Sequence, residues 1–209
     1  MQEELTYPTT PLLVKADDLP IDPYEVLRYI GYRKDQVTEE DIKQVNERIK
    51  KARPFIAPKA CYRRFNVLVK GDGYIELPYG EILSKDLTRN LTGCDSIFMI
   101  ACTIGPLYDR NMVKNRRISM AEASYLQAIG AAAVEDVVDI LNKELERQVN
   151  EEGKTLKPRY SPGFGDYTLE NQKGLFQVLA PEKFTGITLM NTLIMAPEKS
   201  VTAIIGIKN

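Results

Sequence analysis

The sequence contains no histidine, and only three cysteines in 209 residues. Without histidine, Ser-His-Asp and Cys-His catalysis, histidine-ligated metals and a histidine general base are all excluded. Cys61, Cys94 and Cys102 are odd in number and show no C-x-x-C spacing. They predict small buried hydrophobes and indicate neither a disulfide framework nor a zinc site. No apolar run approaches the ~20 residues of a membrane span. The net charge of −1 provides no basic field for nucleic acid or an anionic membrane. The first residues, Met1-Gln2-Glu3-Glu4, are acidic and polar, unlike a signal peptide, so the expected location is the cytoplasm. There is no Walker A pattern. Gly163-x-Gly165 lacks the third glycine of the dinucleotide fingerprint and follows no predicted strand, so kinase, NTPase and Rossmann readings fail. Chemistry is left to carboxylates, Cys, Tyr, Lys and Arg, or to a borrowed cofactor.

What is present is ordinary for a globular chain: 44% apolar and 27% charged residues. With no repeats, low-complexity tracts or linker, the expectation is one domain over residues 1–209. Residues 1–20, Pro-rich, read as an extended segment along the surface. Asp22-Pro23 predicts an N-cap followed by Pro at the first helical position, with the helix ending near Gly31. Thr38 opens a second helix that stops at Arg53-Pro54. Tyr62 to Val69 reads as a strand, Lys70-Gly71-Asp72-Gly73 as a hairpin turn and Tyr74 to Leu77 as the return. Ser84 caps a short helix ended by Gly93, and Ser96 to Ala101 is an apolar run suited to the centre of a sheet. Thr103 to Pro106 reads as a turn. Ser119 and Glu122 fit the S-x-x-E capping box at the head of a helix running to about Asn150. Leu169 to Leu179 reads as a further helix. Thr188 to Met195 and Ser200 to Ile207 read as strands joined through Pro197-Glu198-Lys199. Helices mixed with hairpin-like strands, without a regular βαβ rhythm, predict an α+β fold with a mainly antiparallel sheet flanked by helices.

Two features carry candidate chemistry. The first is the loop Arg159-Tyr160-Ser161-Pro162-Gly163-Phe164-Gly165-Asp166. Arg159 offers a planar fork for a carboxylate, the backbone around Ser161, Pro162 and Gly163 permits close approach, and Phe164 offers a flat face to an adenine or a sulfonium. The second is a strip on the long helix, Ala128, Ala131 and Ala132 beside Glu135, where small residues leave room in front of a carboxylate. Together these groups suit an adenine-bearing, cationic amino-acid ligand, S-adenosylmethionine. The plainer readings are a Pro/Gly turn with an exposed arginine, and a small-residue helix contact with a solvated glutamate.

On these residues the chain resembles the activation domain of cobalamin-dependent methionine synthase. The family's Arg-x-x-Pro-Gly-aromatic loop is matched by Arg159, Pro162, Gly163 and Phe164, and a family glutamate falls on Glu135. The segments Glu25 to Ile30 and Thr185 to Val201 also look similar, so the resemblance spans nearly the whole chain. It departs at Phe164, where the family usually has Tyr. Gly165-Asp166-Tyr167 stands where the family has Pro-Asp-His, and Gly31 where it has an acid. The chain also lacks the family's aromatic-rich tail.

The resemblance implies S-adenosylmethionine as ligand, held by Arg159, Ser161, Pro162, Gly163, Phe164 and Glu135, with no catalytic residue of the chain's own. It implies a component that does not turn over alone. Its expected role is to support reductive remethylation of cobalamin carried by a partner methionine synthase without an activation domain, with electrons from a flavodoxin-like donor. The alternatives are a docking or assembly module without the ligand, and an activator of another corrinoid protein.

Overall fold

A ten-residue strand, β6 (Cys94–Thr103), runs through the centre of the molecule, and nine of its residues are buried. Its side chains alternate between two apolar layers. Phe98, Ile100 and Cys102 enter one cluster, and Ile97, Met99 and Ala101 the other. A strand covered on both faces needs no polar alternation, which is why it reads as one continuous apolar run. The computed structural model describes residues 7–209, so residues 1–6 of the expected N-terminal segment lie outside the described residues.

Strand β6 pairs antiparallel with β2 (Lys59–Asn66) on one side and β10 (Ser200–Lys208) on the other. Strands β1 (Thr10–Leu13) and β7 (Thr155–Leu156) complete a five-stranded sheet in the order β1-β2-β6-β10-β7. One face is covered by α1 (Pro23–Tyr29), α2 (Glu39–Ala52), α4 (Pro106–Arg116) and the 32-residue α5 (Met120–Glu151). The other is covered by α3 (Lys85–Leu91), α6 (Asn171–Leu179) and a small sheet of β3 (Leu68–Gly71), β4 (Tyr74–Leu77) and β5 (Gly80–Leu83). A short α7 (Pro181–Phe184) and the hairpin β8 (Thr188–Leu189) to β9 (Met195–Ala196) lead into β10. This is an α+β domain with a mainly antiparallel sheet. No helix among the described residues is long and apolar enough to cross a membrane.

The helix starts follow their local chemistry. Asp22, Thr38, Ser84 and Ser119 each accept a backbone N–H of the first turn. The capping box at Ser119 is only half formed. The Ser119 hydroxyl accepts from the Glu122 N–H at 3.3 Å, but the Glu122 carboxylate turns to Arg48 of α2 at 2.8 Å. A cross-helix guanidinium offers that carboxylate two charge-assisted donors, which a lone backbone N–H does not match.

Other expectations are corrected. Part of the N-terminal segment is structured: Thr10–Leu13 is an edge strand, Ala16–Asp18 a 3₁₀ turn, and Leu19 is buried in the helical-face core. The predicted strand Tyr62 to Val69 is two strands in different sheets, parted at Val67, whose N–H donates to the Asp95 carbonyl. The predicted strand Thr188 to Met195 is a hairpin that folds back at Leu193, a residue at φ +64°. Gly105-Pro106 opens α4 instead of ending in a turn: Gly105 takes φ +87° and Pro106 occupies the first helical position. The three cysteines are buried and unbridged, and burial pushes the Cys61 thiol up to about 12.

Candidate functional site

The middle of α5 lies against the sheet edge where the chain returns from β7. Along this return Lys157 N–H donates to the Gly206 carbonyl, and Tyr160 and Ile204 exchange both backbone hydrogen bonds, all at 2.8 Å. Arg159 is thus held on a segment pinned to β10 on both sides. Its Nη2 lies 2.5 Å from Oε2 of Glu135, with both side chains little more than a third exposed. The structure therefore joins two residues 24 apart in sequence that the resemblance assigns to one ligand. A pair this exposed is worth about 0–1 kcal/mol, so it yields readily to a competing charged ligand. Buried Cys102 lies close enough to feel both charges, and burial raises its pKa. It is an inert floor.

Beyond Arg159 the chain makes a tight double turn. Phe164 N–H donates to the Ser161 carbonyl at 3.2 Å, Tyr167 N–H to the Phe164 carbonyl at 3.0 Å, and Gly163 N–H to the Tyr167 carbonyl at 2.7 Å. Gly163 at φ +97° and Gly165 at φ +51° supply the left-handed backbone. At Gly165 a Cβ would also overlap the Asp86 carboxylate and the Tyr160 hydroxyl. Pro162 is buried, Ser161 half-buried, and Phe164 is 65% exposed with its ring free for a planar partner.

The far end of the loop is fastened to the scaffold. The Asp166 carboxylate accepts from the Ser84 hydroxyl at 2.5 Å, the Lys85 N–H at 2.7 Å and the Asp86 N–H at 3.2 Å. The Ser84 hydrogen bond, more than any other contact, holds the Asp166 carboxyl below the usual carboxylate range. Tyr167 is fully buried, and its hydroxyl lies 2.6 Å from that of Tyr79. Burial pushes the Tyr79 phenol up to about 12, so both hydroxyls stay neutral and share one hydrogen bond. The Tyr79 ring in turn rests on α6 at Gly174, where any Cβ would overlap it.

A cleft of about 810 Å³ opens further along α5. The end of α1, α4, Ala128 and Ala131 of α5, and the turn at Glu198-Lys199 border it. Ala131 lies one helical turn before Glu135, so the alanine strip does border open space. Lys199 donates to Gln127 Oε1 at 2.5 Å, and burial lowers its pKa. Asp109 accepts from the Glu198 N–H at 2.7 Å through one oxygen; its other oxygen is buried without a partner, and burial raises its pKa.

Of the residues that the sequence nominated, Arg159, Ser161, Pro162, Gly163 and Phe164 lie on one stretch, and the structure pairs the sixth, Glu135, with Arg159. Sequence reasoning missed Tyr79, which sits in a Pro-Tyr-Gly turn with no local signal, and gave Asp166 no role. Gly31, at φ +97° with open space where a Cβ would stand, offers no side chain to any ligand.

No family model matches the sequence, and no curated protein matches it. The fold does match a solved structure, "Crystal Structure of the MetH Reactivation Domain bound to AdoHcy". The TM-score is 0.69 at 13% sequence identity, over 97% of this chain and 79% of that one. The chain has the fold of the MetH reactivation domain.

Proposed function

We propose that this protein binds S-adenosylmethionine between Arg159, Glu135 and the Ser161–Phe164 turn, and presents it for reductive remethylation of the cobalamin of a partner methionine synthase in the cytoplasm. The observation that carries the reading is the Arg159–Glu135 pair, a guanidinium and a carboxylate held together where the chain enters the glycine turn. A zwitterionic amino acid presents the matching charges, so it replaces one weak protein–protein pair by two ligand–protein pairs: carboxylate to Arg159, ammonium or sulfonium to Glu135. The Gly163 backbone approaches the nucleoside, and Phe164 gives the adenine a face for stacking.

In this role the chain binds and orients. The sulfonium supplies the methyl group, leaving S-adenosylhomocysteine, and the partner's corrinoid, after one-electron reduction by a flavodoxin-like donor, supplies the electron pair that accepts it. Nothing in that exchange moves a proton, which suits a chain without histidine. The protein contributes positioning.

Calorimetric titration with S-adenosylmethionine, with S-adenosylhomocysteine and ATP as controls, tests the reading. Arg159→Ala is expected to weaken binding by about 2 kcal/mol or more, the cost of leaving a ligand carboxylate unpaired. Unchanged affinity in Arg159→Ala removes the assignment. The alternative, a docking or assembly module without the ligand, draws on the same pair: Arg159 and Glu135 already satisfy each other. Absence of binding both alone and with the corrinoid partner present favours that module.

A further inference from the structure

The cleft of about 810 Å³ along α5 has no role in the function proposed above. Its size is that of a small-ligand site. One wall is a single face of α4: Asp109, Met112, Val113 and Arg116 stand at i, i+3, i+4 and i+7, and all four line it. That wall is fixed in place, because the buried Tyr108 hydroxyl donates to the Leu126 carbonyl of α5 at 2.7 Å. Across from it, Ala128 and Ala131 keep the α5 wall low.

The polar groups of the cleft sort into those that satisfy one another and those that do not. Lys199 Nζ donates to Gln127 Oε1 at 2.5 Å and lies 3.7 Å from Glu198 Oε1, to which Gln127 Nε2 donates at 3.0 Å. The Ser124 hydroxyl donates to the Met120 carbonyl at 3.1 Å. Two charges are left over. Asp109 accepts the Glu198 N–H through one oxygen, and its other oxygen is buried without a partner. Arg116 is exposed. Among the described residues neither forms an ion pair. The helix dipole favours an acid in the first turn and a base in the last. It does not account for burying a carboxylate oxygen where no donor reaches it. The α4 wall thus carries an unpaired anion at one end and an unpaired cation at the other, with Met112 and Val113 between. Seven residues of helix set the two about 10.5 Å apart along the axis.

We infer that this cleft binds an elongated zwitterion of tripeptide size, with its ammonium at Asp109, its carboxylate at Arg116 and an apolar middle over Met112 and Val113. Three extended residues span about 10 Å, which matches the separation of the two charges. A free amino acid carries both charges on one carbon and cannot bridge them. It suits instead the Arg159–Glu135 pair, whose charges lie 2.5 Å apart. The last torsion of an aspartate is soft, so the unpartnered Asp109 oxygen turns to an incoming ammonium at little cost. Tyr29, Val113 and Met120 on the rim are exposed, so the amides of a bound peptide keep water on the open side. The inference does not rest on the proposed function.

The test titrates the peptide Ala-Leu-Ala into the isotope-labelled full chain and follows the amide shifts of α4 and of the Glu198-Lys199 turn. N-acetylation of the peptide is expected to weaken binding about tenfold, and C-amidation about threefold, because Arg116 is the more exposed of the two charges. Free leucine is expected to bind about tenfold more weakly than the peptide. Asp109→Asn keeps an acceptor for the Glu198 N–H and Arg116→Gln changes an exposed side chain, so both variants are expected to unfold at the wild-type denaturant midpoint. Asp109→Asn should weaken the free peptide about tenfold and leave the N-acetylated one unchanged. Arg116→Gln should weaken the free peptide about threefold and leave the C-amidated one unchanged. No shift of these amides at millimolar peptide overturns the inference. So does equal binding of free and capped peptides, or an Asp109→Asn variant that weakens the N-acetylated peptide as much as the free one. Charge-dependent peptide binding by a chain that takes no S-adenosylmethionine sinks the proposed function and leaves this site standing. The reverse result removes this site alone.

Discussion

The two halves of the loop between β7 and α6 use their side chains in opposite ways. From Arg159 to Phe164, Tyr160 and Pro162 pack down, and the groups able to meet a ligand are left nearly free: an ion pair little more than a third exposed, a half-buried serine and an exposed ring. From Gly165 to Tyr167 every side-chain polar atom is taken up by the scaffold: three hydrogen bonds to the start of α3, and one to the half-buried Tyr79. Loose groups on a fixed frame are what a binding turn requires, since the frame's ordering entropy is already met by folding. Of the three anchoring residues, Gly165 and Tyr167 depart from the Pro-Asp-His of the resemblance, while Asp166, which makes three of the four anchoring hydrogen bonds, matches it.

The strongest way to break the comparison is Tyr167→Ala. It empties a fully buried aromatic site in the second core and removes the closer partner of the Tyr79 hydroxyl. The expected loss of stability is about 3–5 kcal/mol, read from denaturant unfolding. A loss below about 1 kcal/mol would show that the anchored half is not anchored. Arg159→Ala should do the reverse, costing stability no more than about 1 kcal/mol, because its pair is more than a third exposed. If both variants lose similar stability, the two halves are not distinct.

Tyr167→Phe sharpens the contrast at a single atom. It keeps the ring and removes one hydroxyl of the 2.6 Å pair. Leaving the half-buried Tyr79 oxygen with only its long contact to Asn171 at 3.5 Å should cost about 1–2 kcal/mol. S-adenosylmethionine affinity should stay near wild type. Phe164→Ala should show the complementary pattern: stability within about 0.5 kcal/mol and ligand affinity reduced by about 1 kcal/mol.

Much of the framework was legible because its signals are local. The caps at Asp22, Thr38, Ser84 and Ser119 fix four helix starts, and the two-sided burial of Ile97–Cys102 shows as an unbroken apolar run. What was illegible depends on tertiary context. Helix α4 buries only Tyr108 and Met112 over eleven residues, too sparse a stripe to show a period, and its Gly-Pro start looks like a turn. The break at Val67 needs the Asp95 carbonyl from a neighbouring strand, which no spacing within 62–69 reveals. At the site, Arg159 and the glycine turn stood out from composition, and Glu135 was ambiguous until the fold brought it to Arg159. Tyr79 lies 88 residues from the tyrosine it holds. Only the fold could bring the two together.

The smallest expected effect tests why the anchored half is anchored. The Asp166 carboxylate bonds as an anion to a hydroxyl and two backbone N–H groups, and its folded pKa lies below the ordinary value of about 3.9. A carboxyl with a depressed folded pKa stabilises fully at pH above its unfolded pKa and loses that contribution as pH falls through the folded one. The stability difference between wild type and Asp166→Asn should therefore be constant across neutral pH and shrink below about pH 4, as the wild-type carboxyl takes up its proton. Hydrogen exchange at the Lys85 and Asp86 amides is the local readout, with faster exchange in the variant at neutral pH and convergence in acid. A difference that persists unchanged into strong acid would mean that Asp166 holds α3 by shape and not by charge. The anchor would then be carried by Tyr167 and its partner Tyr79.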